Sequence, residues 1–115
     1  MSYDMRVMVK VDGCDKYAEY RCPEFASPTY NLRDMFVACM DWDYKQSEVY
    51  MAAFALEKLQ KGKLELTTRR EYYERYNPSN GWGDIDSAIK ALDSAITCIC
   101  ECAEEILIEY LYFKW

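Results

Sequence analysis

Residues 84 to 105, DIDSAIKALDSAITCICECAEE, restrict what this chain can fold into more than any other stretch. Ile85, Ala88, Ile89, Leu92, Ala95, Ile96, Ile99, Cys102, Ala103 and then Ile106 recur every three or four residues. That is the period of one helix face, kept up for about six turns. At 1.5 Å per residue the helix is roughly 30 Å long, so the other elements must pack along it. Asp84 stands where an amino-terminal cap belongs, and Asp86, Lys90, Asp93, Glu101, Glu104 and Glu105 fall on the opposite flank. The expected spine is a rod that is apolar on one side and acidic on the other.

The rest of the chain supplies a sheet and shorter helices to cover that rod. Met5, Val7, Val9 and Val11 alternate with Arg6, Met8 and Lys10, the pattern of a strand with one buried face. Asp12-Gly13 then predicts a two-residue turn and a return strand through Tyr17 to Tyr20. Pro23 and Pro28 mark a loop. Asn31 is the expected cap of a first helix reaching about Trp42, with Leu32, Met35, Phe36, Cys39 and Met40 on one face. Ser47 is the expected cap of a second, with Val49, Ala52, Ala53, Leu56 and Leu59 inward and Gly62 at its end. Thr68 and Glu71 have capping-box spacing for a short third helix, Arg69 to Tyr76, which Pro78 closes. Residues 106 to 115, ILIEYLYFKW, are too apolar for a free tail and predict a strand. The expectation is one α+β domain over residues 1–115: a small antiparallel sheet, made of the amino-terminal hairpin plus the carboxyl-terminal strand, packed against about four helices.

Several function classes are excluded or disfavoured by composition. With no histidine, a Ser-His-Asp or Cys-His relay within the chain is impossible. No apolar run is long enough to span a membrane, and the first residues lack an export signal, so a cytoplasmic setting with reduced cysteines is expected. Cys98, Cys100 and Cys102 do not make a zinc site, because Cys100 points about 200° away from Cys98 on a helix. No metal and no cofactor are expected. Net charge is −6, and residues 84–115 hold seven acids against Lys90 and Lys114. The basic stretch Lys58, Lys61, Lys63, Arg69, Arg70 and Arg75 is offset by Glu65, Glu71 and Glu74, which argues against direct nucleic-acid binding.

Three groups of residues remain as candidate sites. The acidic flank of Asp86, Asp93, Glu101, Glu104 and Glu105, extended by Glu109, has the charge to occupy a basic protein groove in place of a phosphate row. Arg69, Tyr72, Tyr73 and Tyr76, with Arg70 and Arg75, form a second patch of a composition common at interfaces; docking of a short helix onto the core explains it equally well. Asp41, Asp43, Trp82 and Asp84 are the acids and the exposed-loop aromatic around which a carboxylate-based enzyme or ligand pocket would form, although capping and solvated charge account for the acids.

Ser27-Pro28-Thr29-Tyr30-Asn31, residues 35–44 (MFVACMDWDY), residues 76–84 (YNPSNGWGD) and residues 108–115 (IEYLYFKW) resemble a group of small proteins from conjugative elements and phages of gut Firmicutes. The resemblance runs from about residue 25 onward, and the cysteine-rich segment Cys98–Cys102 departs from it. It implies a setting rather than a mechanism. Small acidic proteins on mobile elements often block a host defence enzyme, a CRISPR nuclease among others. The expectation is therefore a non-catalytic, anti-CRISPR-like interaction protein that binds a host protein with a basic surface. The alternatives are a small ligand-binding domain or enzyme near Trp82 and Asp84, and a homodimer formed through the tyrosines and terminal strand.

Overall fold

The computed structural model describes every residue from Met1 to Trp115. Its elements are β1 (Arg6–Lys10), β2 (Tyr17–Arg21), α1 (Arg33–Met40), β3 (Val49–Met51), α2 (Ala52–Thr68), α3 (Arg70–Tyr73), α4 (Ile85–Glu105) and β4 (Leu111–Lys114). Short 3-10 turns precede α1, follow α3 and lead into β4. The fold is α+β, with helices covering one face of an antiparallel sheet. No helix is long and apolar enough to cross a membrane.

The spine forms as its periodicity requires. α4 is one unbroken helix of 21 residues, and the Asp84 carboxylate accepts hydrogen bonds from the Ser87 backbone N–H at 2.8 Å and its hydroxyl at 2.9 Å. Those bonds satisfy a donor that the first turn would otherwise leave open. Ile85, Ala88, Ala91, Leu92, Ala95, Cys98, Ile99 and Cys102 are buried, so the inward stripe includes Ala91 and Cys98, while Ile89 and Ile96 are only half-buried at its edge.

The sheet has four strands rather than three, in the order β2-β1-β4-β3. β4 lies between β1 and β3, with Val7 and Tyr50 both opposite Phe113. Leu111, Phe113 and Trp115 alternate into the core, while Tyr112 and Lys114 point to the other face. β3 escapes sequence reading because three residues carry no period. Val49 therefore starts a strand rather than a helix, and α2 starts at Ala52 without a cap from Ser47. The hairpin turn is also longer than two residues. Val11 N–H donates to the Lys16 carbonyl at 2.7 Å around a four-residue loop, with Gly13 at φ +78°. Two other expected caps are displaced. Thr29 accepts the Asn31 N–H ahead of α1, and the Thr68 hydroxyl donates to the Leu64 carbonyl inside α2, so no capping box opens α3.

Gly62 does not end α2 but lies within it, at the point where three helices meet. A Cβ there would stand 2.5 Å from Met40 Cγ, 3.1 Å from Leu92 Cδ1 and 3.2 Å from Cys39 Sγ. α1 and α4 can approach α2 this closely only because position 62 has no side chain. α2 and α4 run antiparallel: Lys63 in α2 pairs with Asp93 (2.6 Å) and Arg70, just beyond α2 at the start of α3, pairs with Asp86 (2.8 Å), so numbers rise on one side as they fall along α4. The start of α2 and the end of α4 therefore share one end of the molecule with the hairpin loop.

At the far edge of the helical layer, Trp115 is enclosed by Tyr3, Phe36, Trp42, Tyr44 and Phe113. Its ring stacks on Tyr44 at 4.3 Å, and the Tyr3 and Tyr44 hydroxyls share a hydrogen bond of 2.7 Å. Offset and tilted ring pairs of this kind contribute roughly 0.5–1.5 kcal/mol each beyond area burial. Replacing Gly62 with alanine is expected to destabilise the fold. The gain of up to about 1 kcal/mol in helix propensity is outweighed by overpacking of about 1–3 kcal/mol against Met40. Urea denaturation should show a lower midpoint for Gly62→Ala; an unchanged or raised midpoint would contradict the close approach.

Candidate interaction surfaces

The acidic flank of α4 is solvent-facing, but the chain neutralises half of it. Arg70 pairs with Asp86, Lys63 with Asp93, and Arg21 with Glu105 at 2.5 Å. The Asp86 carboxyl is held below the usual range chiefly by its hydrogen bond from Arg70. Each pair links α4 to a different neighbour, α3, α2 or β2, so these acids act first as exposed fasteners between elements. Glu101, Glu104 and Glu109 enter no ion pair. All three are exposed at the end of the molecule where α4 finishes. A continuous row of negative charge along α4 is thus replaced by a short unpaired cluster at its carboxyl-terminal end.

Beside that cluster stand two large apolar side chains. Leu107 is 64% and Tyr110 61% exposed. Both lie in the stretch read from the sequence as strand. The structure makes a 3-10 turn of Ile108–Tyr110 instead, and β4 begins only at Leu111. The turn throws Leu107 and Tyr110 outward, and no periodicity in ILIEYLYFKW signals it.

The tyrosine-arginine patch is folded on itself. Tyr73 is buried and its hydroxyl donates to Glu65 Oε1 at 3.0 Å; burial first, and Glu65 second, push its pKa up to about 12. The Tyr72 ring lies between the guanidinium groups of Arg69 at 4.7 Å and Arg75 at 4.3 Å. Tyr76 is half-buried against the core. This is the arrangement of a short helix docked by its tyrosines.

The acids grouped with Trp82 are not brought together. Asp84 caps α4, Asp43 pairs with Arg33 at 2.8 Å, and Asp41 lies 3.8 Å from Lys61. A groove of about 780 Å³ does open beside Trp82, lined by the loop from Cys22 to Thr29 together with Arg6, Ser87 and Lys90. Lys90 Nζ sits 4.2 Å from the Phe25 ring, and Phe25 N–H donates to Ser94 Oγ at 2.9 Å, which fixes the loop to α4. None of Asp41, Asp43 and Asp84 lines the groove, so it has no carboxylate pair for acid-base work. The cysteines are likewise dispersed in role. Cys98 and Cys102 are buried on α4, Cys100 is exposed, no disulfide is present, and no group of three candidate ligands could hold a metal ion.

Comparison of the chain with protein-family models, with curated proteins and with solved structures returned no match.

Trp82 is 69% exposed, whereas Trp42 and Trp115 are buried. Asn80 Oδ1 accepts the Trp82 N–H at 2.9 Å, and Gly83, at φ +95°, packs against Thr29 and Leu32, so the ring is held at the groove rim. Iodide should quench only the Trp82 component of the fluorescence, and Trp82→Phe should abolish nearly all iodide sensitivity. Retention of that sensitivity in the variant would show that Trp82 is not the exposed ring.

Proposed function

We propose that this protein is a non-catalytic interaction module that docks the carboxyl-terminal end of α4 onto a basic partner protein. The observation that carries this reading is the coincidence of Glu101, Glu104 and Glu109, all without cations, with exposed Leu107 and Tyr110. Most exposed acids elsewhere on α4 already have partners. Unpaired charge gives rate and register to an encounter, and an aromatic and an aliphatic side chain among the charges supply the desolvated contact. The lack of an assembled acid pair, and of any histidine, favours binding over catalysis.

The partner class follows from the charge: a protein with a cationic surface, as nucleic-acid-handling proteins have. Taken with the resemblance to small proteins of mobile elements, the reading becomes inhibition of a host defence protein of that class, anti-CRISPR-like in manner. The Trp82 groove supports a second reading, a site for a small ligand recognised without carboxylate chemistry, because an exposed tryptophan beside a concave surface is an ordinary recognition element.

The test compares the wild-type chain with Glu101→Lys/Glu104→Lys/Glu109→Lys as bait in a bacterial lysate and against purified CRISPR nucleases. A control variant, Asp93→Asn, removes a paired acid. The expected result is a partner retained by wild type and control, released by raised salt, and lost from the triple variant. Equal retention by all three baits would remove the acidic end of α4 as the docking surface, and nuclease cleavage unchanged by excess protein would remove the anti-CRISPR assignment.

A further inference from the structure

The same end of the molecule carries a second feature, made by the hairpin loop and the turn before β4. The antiparallel register sets Val9 opposite Leu111, which brings the loop after β1 beside Tyr110. Between them lies an open cleft of about 700 Å³. Val9, Val11, Tyr110 and Tyr112 supply apolar and aromatic surface to it, and Asp12 and Asp15 stand on the loop side. Val11 is 42% and Tyr110 61% exposed, so the apolar surface is available rather than covered.

The charges around the cleft are unequal. Lys10 is the one cation lining it, and its ammonium is already engaged with Asp15 at 3.4 Å. Asp12 has no ion-pair partner, nor has Glu109, the residue beside Tyr110 in the turn. Lys10 also shows that the cleft accommodates a cation, because its ammonium pairs with the Asp15 carboxylate there. The chain's own cation is thus taken up by Asp15, while the Tyr110 ring and the Asp12 carboxylate line the same cleft with no cation against them.

We infer that this cleft receives an arginine side chain of the partner protein, its guanidinium stacked on Tyr110 and paired with Asp12. The chemistry favours arginine over lysine. A planar, weakly hydrated guanidinium can lie on a tyrosine face and still donate in its own plane to a carboxylate, whereas an ammonium is a compact, strongly hydrated point charge. Two tyrosines and two valines provide the surface that loses water when the side chain enters, which is what gives such a contact weight at an interface. The inference rests on the docking reading above and adds to it a specific recognition pocket next to Glu109.

The test uses the full chain, labelled with nitrogen-15, and two peptides, acetyl-(Gly-Arg)3-amide and acetyl-(Gly-Lys)3-amide, titrated at low ionic strength. The arginine peptide should shift the amide signals of residues 11–15 and 109–112 in a saturable way. The lysine peptide should bind about fivefold more weakly, and Tyr110→Ala or Asp12→Asn should each weaken the arginine peptide about fivefold, the size expected of one partly desolvated cation–aromatic or charge contact. Both substituted side chains are exposed, and unchanged signals from α4 and the buried core would show that the variants remain folded. Shifts confined to residues 101–105, or equal binding of both peptides unaffected by Tyr110→Ala, would overturn the cleft. If the triple reversal still abolishes capture of a partner, that result leaves the broader docking reading standing. Conversely, peptide binding in the cleft together with capture that ignores the reversal would uphold the arginine site and remove the acidic surface.

Discussion

Everything in the helical layer depends on how closely α1 and α4 can approach α2 at Gly62. Met40, Cys39 and Leu92 all come within reach of the absent Cβ there, so two helix crossings are set by one residue without a side chain. Protein interiors are packed near crystalline density, and a crossing this tight leaves little freedom in the angle or register of its neighbours. Once α4 is fixed against α2, its outer flank falls beside Lys63 and Arg70, and its last turn is placed next to β2 through Arg21 and Glu105. The position of the acidic end thus follows from apolar packing about three turns away.

Much of this architecture could be read from residue patterns, for reasons that differ element by element. α4 was legible because a face sustained over six turns has few competing explanations. β1 was legible from alternation, β4 from the apolar, branched and aromatic character of ILIEYLYFKW, and the absence of a histidine relay from composition alone. β3 was not, because Val49, Tyr50 and Met51 fit equally well into the helical spacing that continues to Leu56. Gly62 was misread as a stop because the local signal of a glycine does not say whether a neighbouring helix needs the space. The acid row shows the same limit in electrostatic form. Asp86, Asp93 and Glu105 look like free charge along the sequence, and the residues that pair with them lie 16, 30 and 84 positions away. Tertiary pairing of that range leaves no trace in the local pattern.

The distribution of charge has a structural logic that bears on function. Exposed ion pairs contribute little stability individually, with a median of roughly 0–1 kcal/mol. The three on α4 serve orientation instead, each linking it to a different element and consuming an acid in doing so. The α4 acids left unpaired, Glu101 and Glu104, lie toward its carboxyl-terminal end, and Glu109 follows in the turn beside Tyr110. Sequence reading placed the expected docking surface along the whole helix; in the fold, only Glu101, Glu104 and Glu109 of those acids are free of an ion pair. Trp82 and its groove lie toward the opposite end of α4, beside Gly83 and Ser87, so the two candidate surfaces are separate and can be altered independently.

The six thiols divide into two classes that burial alone creates. Cys14, Cys22 and Cys100 meet water, whereas Cys39, Cys98 and Cys102 are enclosed, and loss of hydration pushes the Cys39 and Cys98 thiols up to about 12. Since the thiolate is the reactive form, the enclosed set is shielded from alkylating reagents both by access and by ionisation. Two of the shielded sulfurs lie on α4 and the third lies against Gly62. The number of alkylated cysteines is therefore a gauge of whether the three-helix junction is closed, and the molecule carries that gauge without any added probe.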